Sequence, residues 1–109
     1  MSVITTHILD AVLGKPARGV AIRLEKLLNE SWVAAGAGET DADGRCRDLA
    51  QDLSAGFYRL TFAVEAYFEQ QGRTSIYPEV TITARIDGEH HYHLPLLLSD
   101  NSYTTYRGS

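Results

Sequence analysis

The sequence predicts an all-β protein, two antiparallel sheets packed as a sandwich with at most one brief helix. Two observations carry this: apolar and polar residues alternate with period two through most of the patterned stretches, and seven or eight such stretches follow one another at short spacing. Turn-forming Gly, Pro and Asp stand between them, the punctuation of a sandwich rather than of a helical or α/β fold.

Taken in order, Val3 to Leu9 places Val3, Thr5, His7 and Leu9 on one face of a strand, and Ile4, Thr6, Ile8 and Asp10 on the other. Gly14-Lys15-Pro16 makes a turn. Val20, Ile22, Leu24, Lys26 and Leu28 then share a face of a second strand. Trp32 to Glu39, rich in Ala and Gly, is a weaker third, running into the tight-turn composition Asp41-Ala42-Asp43-Gly44-Arg45. From Gly56 to Ala66 the alternation returns, with Tyr58, Leu60, Phe62 and Val64 on one side. Tyr67 to Gln71 holds helix formers stopped by Gly72, enough for one or two turns. Glu79 to Ile86 is the cleanest strand, and Asp87-Gly88 reads as a hairpin turn into a partner strand from His91 to Leu98. Pro95 conflicts mildly with that partner, because proline cannot donate to a sheet ladder. Tyr103 to Tyr106 forms a short last strand.

Residues 1–109 are read as a single domain, with no repeat, linker or low-complexity segment, and at this length a chain buries enough surface to hold a core without staples. A net charge of −4 and the absence of any Lys/Arg cluster argue against nucleic acid as a partner. No apolar run nears the ~20 residues that span a bilayer, so no membrane partner is expected. The start of the chain lacks the pattern of a secretory signal, and Arg107-Gly108-Ser109 does not match a Ser-Lys-Leu address. A lone cysteine, Cys46, gives no internal disulfide, has no base near it in sequence and reads as a small hydrophobe. A cytoplasmic protein is the default expectation.

Chemistry concentrates in few places. Four histidines are unusual in so small a sandwich: His7, His90, His91 and His93. On a strand His91 and His93 share a face, the spacing of a metal-ligand pair, which His7 would complete. No Cys pair or nearby carboxylate accompanies them, and no metal and no cofactor is expected. His90 and His91 are expected to pack structurally, whereas His7 and His93 lie among strand residues where an imidazole needs a partner. A histidine pair can accept and return a proton near neutral pH. Arg45, ending a turn, reads on composition as an exposed cation. The aromatic-rich approach through Tyr103 and Tyr106 reads as a strand that carries the last residues into a sheet, where the Ser109 hydroxyl becomes a candidate site group.

Several segments together resemble a known family: Thr6-His7-Ile8-Leu9-Asp10 with Gly14-Lys15-Pro16, the Thr40 to Arg45 turn, Tyr77-Pro78-Glu79-Val80, His91 to Ser99, and Tyr106-Arg107-Gly108-Ser109. They look like the 5-hydroxyisourate hydrolases, the transthyretin-related enzymes of urate breakdown, over essentially the whole chain. The terminal tetrapeptide is the specific part, since it separates these hydrolases from transthyretin, the hormone carrier of the same fold.

The resemblance implies a transthyretin-like sandwich of about eight strands with one short helix, assembled as a homotetramer, a dimer of dimers with substrate pockets at the dimer–dimer interface. It implies His7, Arg45 and His93 as catalytic residues and Tyr106, Arg107 and Ser109 as substrate-binding residues. The implied reaction is hydrolysis of 5-hydroxyisourate to 2-oxo-4-hydroxy-4-carboxy-5-ureidoimidazoline in purine catabolism. His7 and His93 would share the proton work, and Arg45 would stabilise the oxyanion. Arg107 would either steer an anionic ligand or pin the terminus. Asp100-Asn101 and Ile76-Tyr77 depart from the usual family pattern, both outside the catalytic set. The main alternative is a carrier that binds a small aromatic ligand in the same channel without turnover. A generic adhesion or carbohydrate-contact sandwich, and a zinc hydrolase using His7, His91 and His93, are the other readings.

Overall fold

The computed structural model describes residues 1–109, folded as two sheets enclosing one hydrophobic core. The first sheet is built around β1 (Ser2–Asp10), whose even residues Ser2, Ile4, Thr6, Ile8 and Asp10 are all buried while Val3, Thr5, His7 and Leu9 are half-buried on the outer face. On one side β1 pairs antiparallel with β5 (Arg45–Leu53) and with the two-residue β2 (Lys15–Pro16). On its other side it pairs parallel with β8 (His91–His93) and β9 (Leu96–Leu98), and β10 (Tyr103–Thr105) lies antiparallel on β9. The second sheet runs β4 (Ser31–Glu39), β3 (Ala21–Leu28), β6 (Gly56–Phe62), β7 (Val80–Ile86), all antiparallel. Ile4, Ile8, Leu24, Leu60, Phe62 and Leu96, all with no exposed surface, form the middle of the core. No helix is long and apolar enough to cross a membrane.

The sandwich agrees with the alternation in the sequence, and Asn29 and Glu30, both at positive φ, close β3 onto β4 in a two-residue turn whose twist suits a hairpin. Four local expectations change. The stretch after Arg45, left without an element by the sequence pattern, is a nine-residue strand. Its buried residues Cys46, Leu49, Ala50 and Leu53 are spaced like a helical stripe, because irregularities in the β1–β5 register break the simple alternation. The strand from Gly56 ends at Phe62, and the helix α1 (Val64–Glu69) begins earlier than the composition indicated. Val64, Tyr67 and Phe68 form its buried stripe at i, i+3 and i+4, and Gly72, in left-handed backbone at φ 68°, follows its end.

The third change concerns Asp87-Gly88. The turn is real: Asp87 Oδ1 accepts from the backbone N–H groups of Glu89 and His90, and Gly88 sits at φ 83°. It does not close a hairpin, however. It moves the chain from β7 in one sheet to β8 in the other, where β1 is the partner. The fourth concerns Pro95, which splits the expected His91 to Leu98 strand into β8 and β9. The register on β1 is the same before and after the break: Thr5 faces His93, and Ile8 faces Leu96. At the break the Thr6 hydroxyl donates to the Leu94 carbonyl at 2.6 Å, so a side chain supplies the bond the ladder lacks.

One buried charge ties the elements together. Asp10, with a fully buried side chain, accepts from the Arg73 guanidinium at 2.6 Å, the Tyr67 hydroxyl at 2.7 Å and the backbone N–H groups of Val12 and Leu13. Arg73 also pairs with Asp100 in the β9–β10 connection. Burial alone would raise the Asp10 carboxyl, but the hydrogen bonds from Arg73, Leu13 and Tyr67 outweigh it and hold the group below the ordinary aspartate range.

Removing the guanidinium in Arg73→Ala leaves that carboxylate buried without its counter-ion, with an expected loss of about 3 kcal/mol at neutral pH. Because the folded-state carboxyl is depressed, this contribution is complete above about pH 4 and is lost as pH falls through the folded value. Urea melts of the two proteins from neutral to strongly acid pH check it: the gap between them should close on the acid side.

Candidate active site

The outer face of the first sheet carries the polar residues. Because side chains alternate along β1, Thr5 and His7 stand on the same face, opposite the core. Register then fixes their neighbours: His7 lies beside Arg45 of β5, and Thr5 beside His93 of β8. Arg47 and His91 follow two residues along their own strands. The result is an open depression of about 340 Å³ lined by Thr5, Thr6, Arg45, Arg47, His91, His93 and Ser109, with no hydrophobic residue among them.

Each side chain is held by something nameable. The Asp41–Gly44 turn aims Arg45: Asp41 Oδ1 accepts from the N–H groups of Asp43 and Arg45, and Gly44 takes a left-handed φ of 76° where a β-carbon would strike the Ile8 carbonyl. The His7 Nε2 lies 2.8 Å from the Asp43 carbonyl. A carbonyl only accepts, so Nε2 carries the proton and Nδ1 is the nitrogen left to accept. His93 Nδ1 lies 2.8 Å from the Thr5 hydroxyl, and the same oxygen lies 2.7 Å from His91 Nε2. Burial, then the charges of Arg45, His7 and His91, push the His93 imidazolium below the ordinary histidine value, so the ring is neutral and able to accept a proton at pH 7.

The chain's last residues fold back onto this face. The Gly108 N–H donates to the His93 carbonyl at 2.7 Å, forming an isolated bridge with β8, and the Thr105 hydroxyl donates to the Pro95 carbonyl. Gly108 is required by packing. A β-carbon there would come within 2.8 Å of His93 Cδ2 and 3.4 Å of Pro95. This contact seats Ser109 in the depression.

The structure therefore gathers Arg45, His93 and Ser109 in one concavity. His7 shares the face and neighbours Arg45, but its ring is turned to Asp43 and does not line the depression. Tyr106 is 53% exposed and stands outside it. The Arg107 guanidinium lies 4.2 Å from the ring centre of Tyr92, whose side chain points to the other face of β8 from His91 and His93. Four lining residues, Thr5, Thr6, His91 and Arg47, have no site role in the sequence reading. Thr5 alternates with His7 and His91 with His93, so both were within reach of the strand pattern, whereas Arg47 lies on the strand whose alternation is broken. His7, His91 and His93 do not come within mutual reach of one ion; Asp87, Glu89 and His90 do, at the exposed turn. Cys46 is buried, and burial pushes its thiol up, away from the reactive thiolate.

Residues 4–108 match the model of the HIUase/Transthyretin family. A 5-hydroxyisourate hydrolase of Caulobacter vibrioides is 44% identical, covering the whole of both chains. Among solved structures, sea bream transthyretin in complex with thyroxine superposes with a TM-score of 0.93 at 35% identity, covering 96% of this chain and 93% of the other. The Klebsiella pneumoniae 5-hydroxyisourate hydrolase gives 0.85 at 39% identity, covering 100% and 94%.

Gly108→Ala should lift the chain end off His93 while leaving both sheets intact. The expected result is a loss of hydrogen-exchange protection at residue 108, on the order of tenfold or more, with little change in the melting temperature. Protection equal to that of the unsubstituted protein would mean that the β-carbon is accommodated.

Proposed function

The chain belongs to the HIUase/Transthyretin family, and from the polar depression on its first sheet we infer that it works as the hydrolase and not as a carrier. It is a 5-hydroxyisourate hydrolase. The observation that carries this is the lining: two arginines, two imidazoles, hydroxyls and no apolar side chain, whereas pockets that carry aromatic ligands are predominantly apolar.

The reaction adds water to a ring carbonyl carbon, breaks the bond to the ring nitrogen and leaves a carboxylate and an N–H. It needs a base for the water, a partner for the oxyanion and a proton for the departing nitrogen. His93 is our choice for the base, because its ring is neutral at pH 7 and Nε2 is its nitrogen without a hydrogen-bond partner. The proton taken from water is the one returned to the nitrogen. Arg45, aimed by the Asp41–Gly44 turn, offers a fork of donors to the carbonyl oxygen as it gains charge. His7, fixed through Asp43, presents Nδ1 beside Arg45 and orients substrate. Ser109 binds the ring from the chain end, with Tyr106 closing over it, and Arg107 pins the tail through Tyr92.

We take the working form to be a homotetramer, a dimer of dimers with the depressions at the dimer–dimer interface, open to water and substrate along a central channel. The exposed apolar side chains of Val12, Leu13, Tyr103 and Tyr106 are the surfaces available for it. No metal or other cofactor enters this scheme. The reaction is placed in the cytoplasm, where Cys46 stays reduced.

Decay of 5-hydroxyisourate, generated in place from urate and followed by ultraviolet absorbance, tests the reading: the protein should accelerate it equally before and after chelator treatment. His93→Ala, Arg45→Ala and His7→Ala should each lower turnover on the order of 10²-fold. Near-normal turnover in folded His93→Ala would reassign the base. The acid limb of kcat/KM should fall below the ordinary histidine value of about 6.5, because it is the depressed His93 that must lose its proton to act.

A further inference from the structure

We propose that Thr5 is a positioning residue that joins His93 to His91, so that the three form a reversible hydrogen-bond chain from the depression to solvent. The proposal rests on the hydrolase reading for its catalytic consequence, but the chain itself stands on geometry. One hydroxyl oxygen lies 2.8 Å from His93 Nδ1 and 2.7 Å from His91 Nε2. His93 is half-buried and His91 is exposed.

A threonine hydroxyl has one proton to give and two lone pairs to offer, so it cannot donate to both rings at once. This leaves two complete directions. In one, His93 Nδ1–H donates to Thr5, and Thr5 donates to His91 Nε2. His93 Nε2 is then a bare lone pair, the form a base requires. In the other, His91 Nε2–H donates to Thr5 and Thr5 donates to His93 Nδ1, so His93 carries its proton on Nε2, the form an acid requires.

The two directions interconvert with all protons accounted for. When Nε2 takes a proton from water, His93 becomes an imidazolium. Its Nδ1 proton passes to the Thr5 oxygen, the Thr5 proton passes to His91 Nε2, and His91 releases its Nδ1 proton to solvent. His93 is left neutral with Nε2–H, ready to protonate the departing ring nitrogen. As His93 gives its Nε2 proton to the departing nitrogen, the reverse passage delivers a proton, drawn from solvent by His91 and relayed through Thr5, to His93 Nδ1, so the ring stays neutral and the base is restored. One imidazole thus serves both halves of the hydrolysis without remaining charged beside the guanidinium groups of Arg45 and Arg47.

The other groups around His93 do not supply this link. His7 Nε2 is committed to the Asp43 carbonyl, Arg45 and Arg47 only donate, and the Gly108 N–H is spent on the His93 carbonyl. Of the other hydroxyls in the depression, that of Thr6 is spent on the Leu94 carbonyl, and that of Ser109 has no bond to either ring and is assigned to substrate.

Thr5→Val keeps the shape and strand preference and removes the hydroxyl, while Thr5→Ser keeps the hydroxyl. In full-length protein, imidazole ¹⁵N resonances should show His91 and His93 titrating as a coupled pair in the unsubstituted protein and in Thr5→Ser, and independently in Thr5→Val. Thr5→Val should lower kcat about tenfold or more with KM little changed and move the pH profile, and Thr5→Ser should recover most of the loss. His91→Gln, at an exposed position, provides a second variant and should also lower kcat. Independent titration in the unsubstituted protein overturns the chain. So does Thr5→Val with unaltered kcat and pH profile, or Thr5→Ser as impaired as Thr5→Val, which would make the residue a packing element. An unsubstituted protein that does not accelerate substrate decay would refute the hydrolase reading instead, and the titration would still decide whether the rings are coupled.

Discussion

The site depends first on the register of β1 between its two neighbours. β1 is the only strand that touches both β5, which brings Arg45 and Arg47, and β8, which brings His91 and His93. Side chains on a strand alternate, so a shift of one residue would send Thr5 and His7 into the core and lift Ile4 and Ile8 onto the surface. Burying an imidazole and exposing two fully buried isoleucines is heavily disfavoured, and the same preference that builds the core therefore aligns the polar face. The hydrophobic half of β1 is what holds the polar half in place.

Charge distribution divides labour on the two sides of that strand. On the inner side, the one carboxylate, Asp10, is enclosed by donors from the Ala11–Gly14 turn, α1 and Arg73. On the outer side, arginines and imidazoles face solvent without an acidic residue among the lining. Such a concavity attracts an electron-rich heterocycle and stabilises negative charge where it develops. The fold is shared with a protein solved as a thyroxine complex, so the difference in function lies in which side chains this sheet presents, not in the sheet.

Much of this was legible in the sequence, and the failures share a cause. The alternation of Val3 to Leu9 and of Val80 to Ile86 gave strands and faces correctly, because β1 keeps one register against β8 and β9, and β7 keeps one against β6. β5 was missed because its bulged pairing spaces the buried residues like a helix, and Arg47 was missed with it. His93 stood out among the strand residues and Arg45 at its turn, and their proposed roles came through resemblance; that His93 shares a hydroxyl with His91 depends on a pairing between residues 86 and more positions apart, which no local pattern encodes. The parallel β1–β8 pairing was hidden for the same reason, since a strong turn at Asp87-Gly88 looks alike whether it closes a hairpin or changes sheets. Arg107 shows the converse limit: its position in a recognisable tetrapeptide did not reveal that its guanidinium rests on Tyr92.

At the corner where the sheets meet, β4 carries glycines where it crosses β5. A β-carbon at Gly38 would come within 2.5 Å of Cys46 Sγ, and one at Gly36 would strike the Leu49 carbonyl. The sulfur thus occupies the space that the glycine vacates, and a bulky thiol reagent has no access to it while the corner is closed. Cys46 stands between Arg45 and Arg47 on one strand. The rate at which a bulky thiol reagent labels it is consequently a clock for the separation of β4 from β5, and hence for how often the arginine-bearing wall of the site comes loose from the body of the molecule.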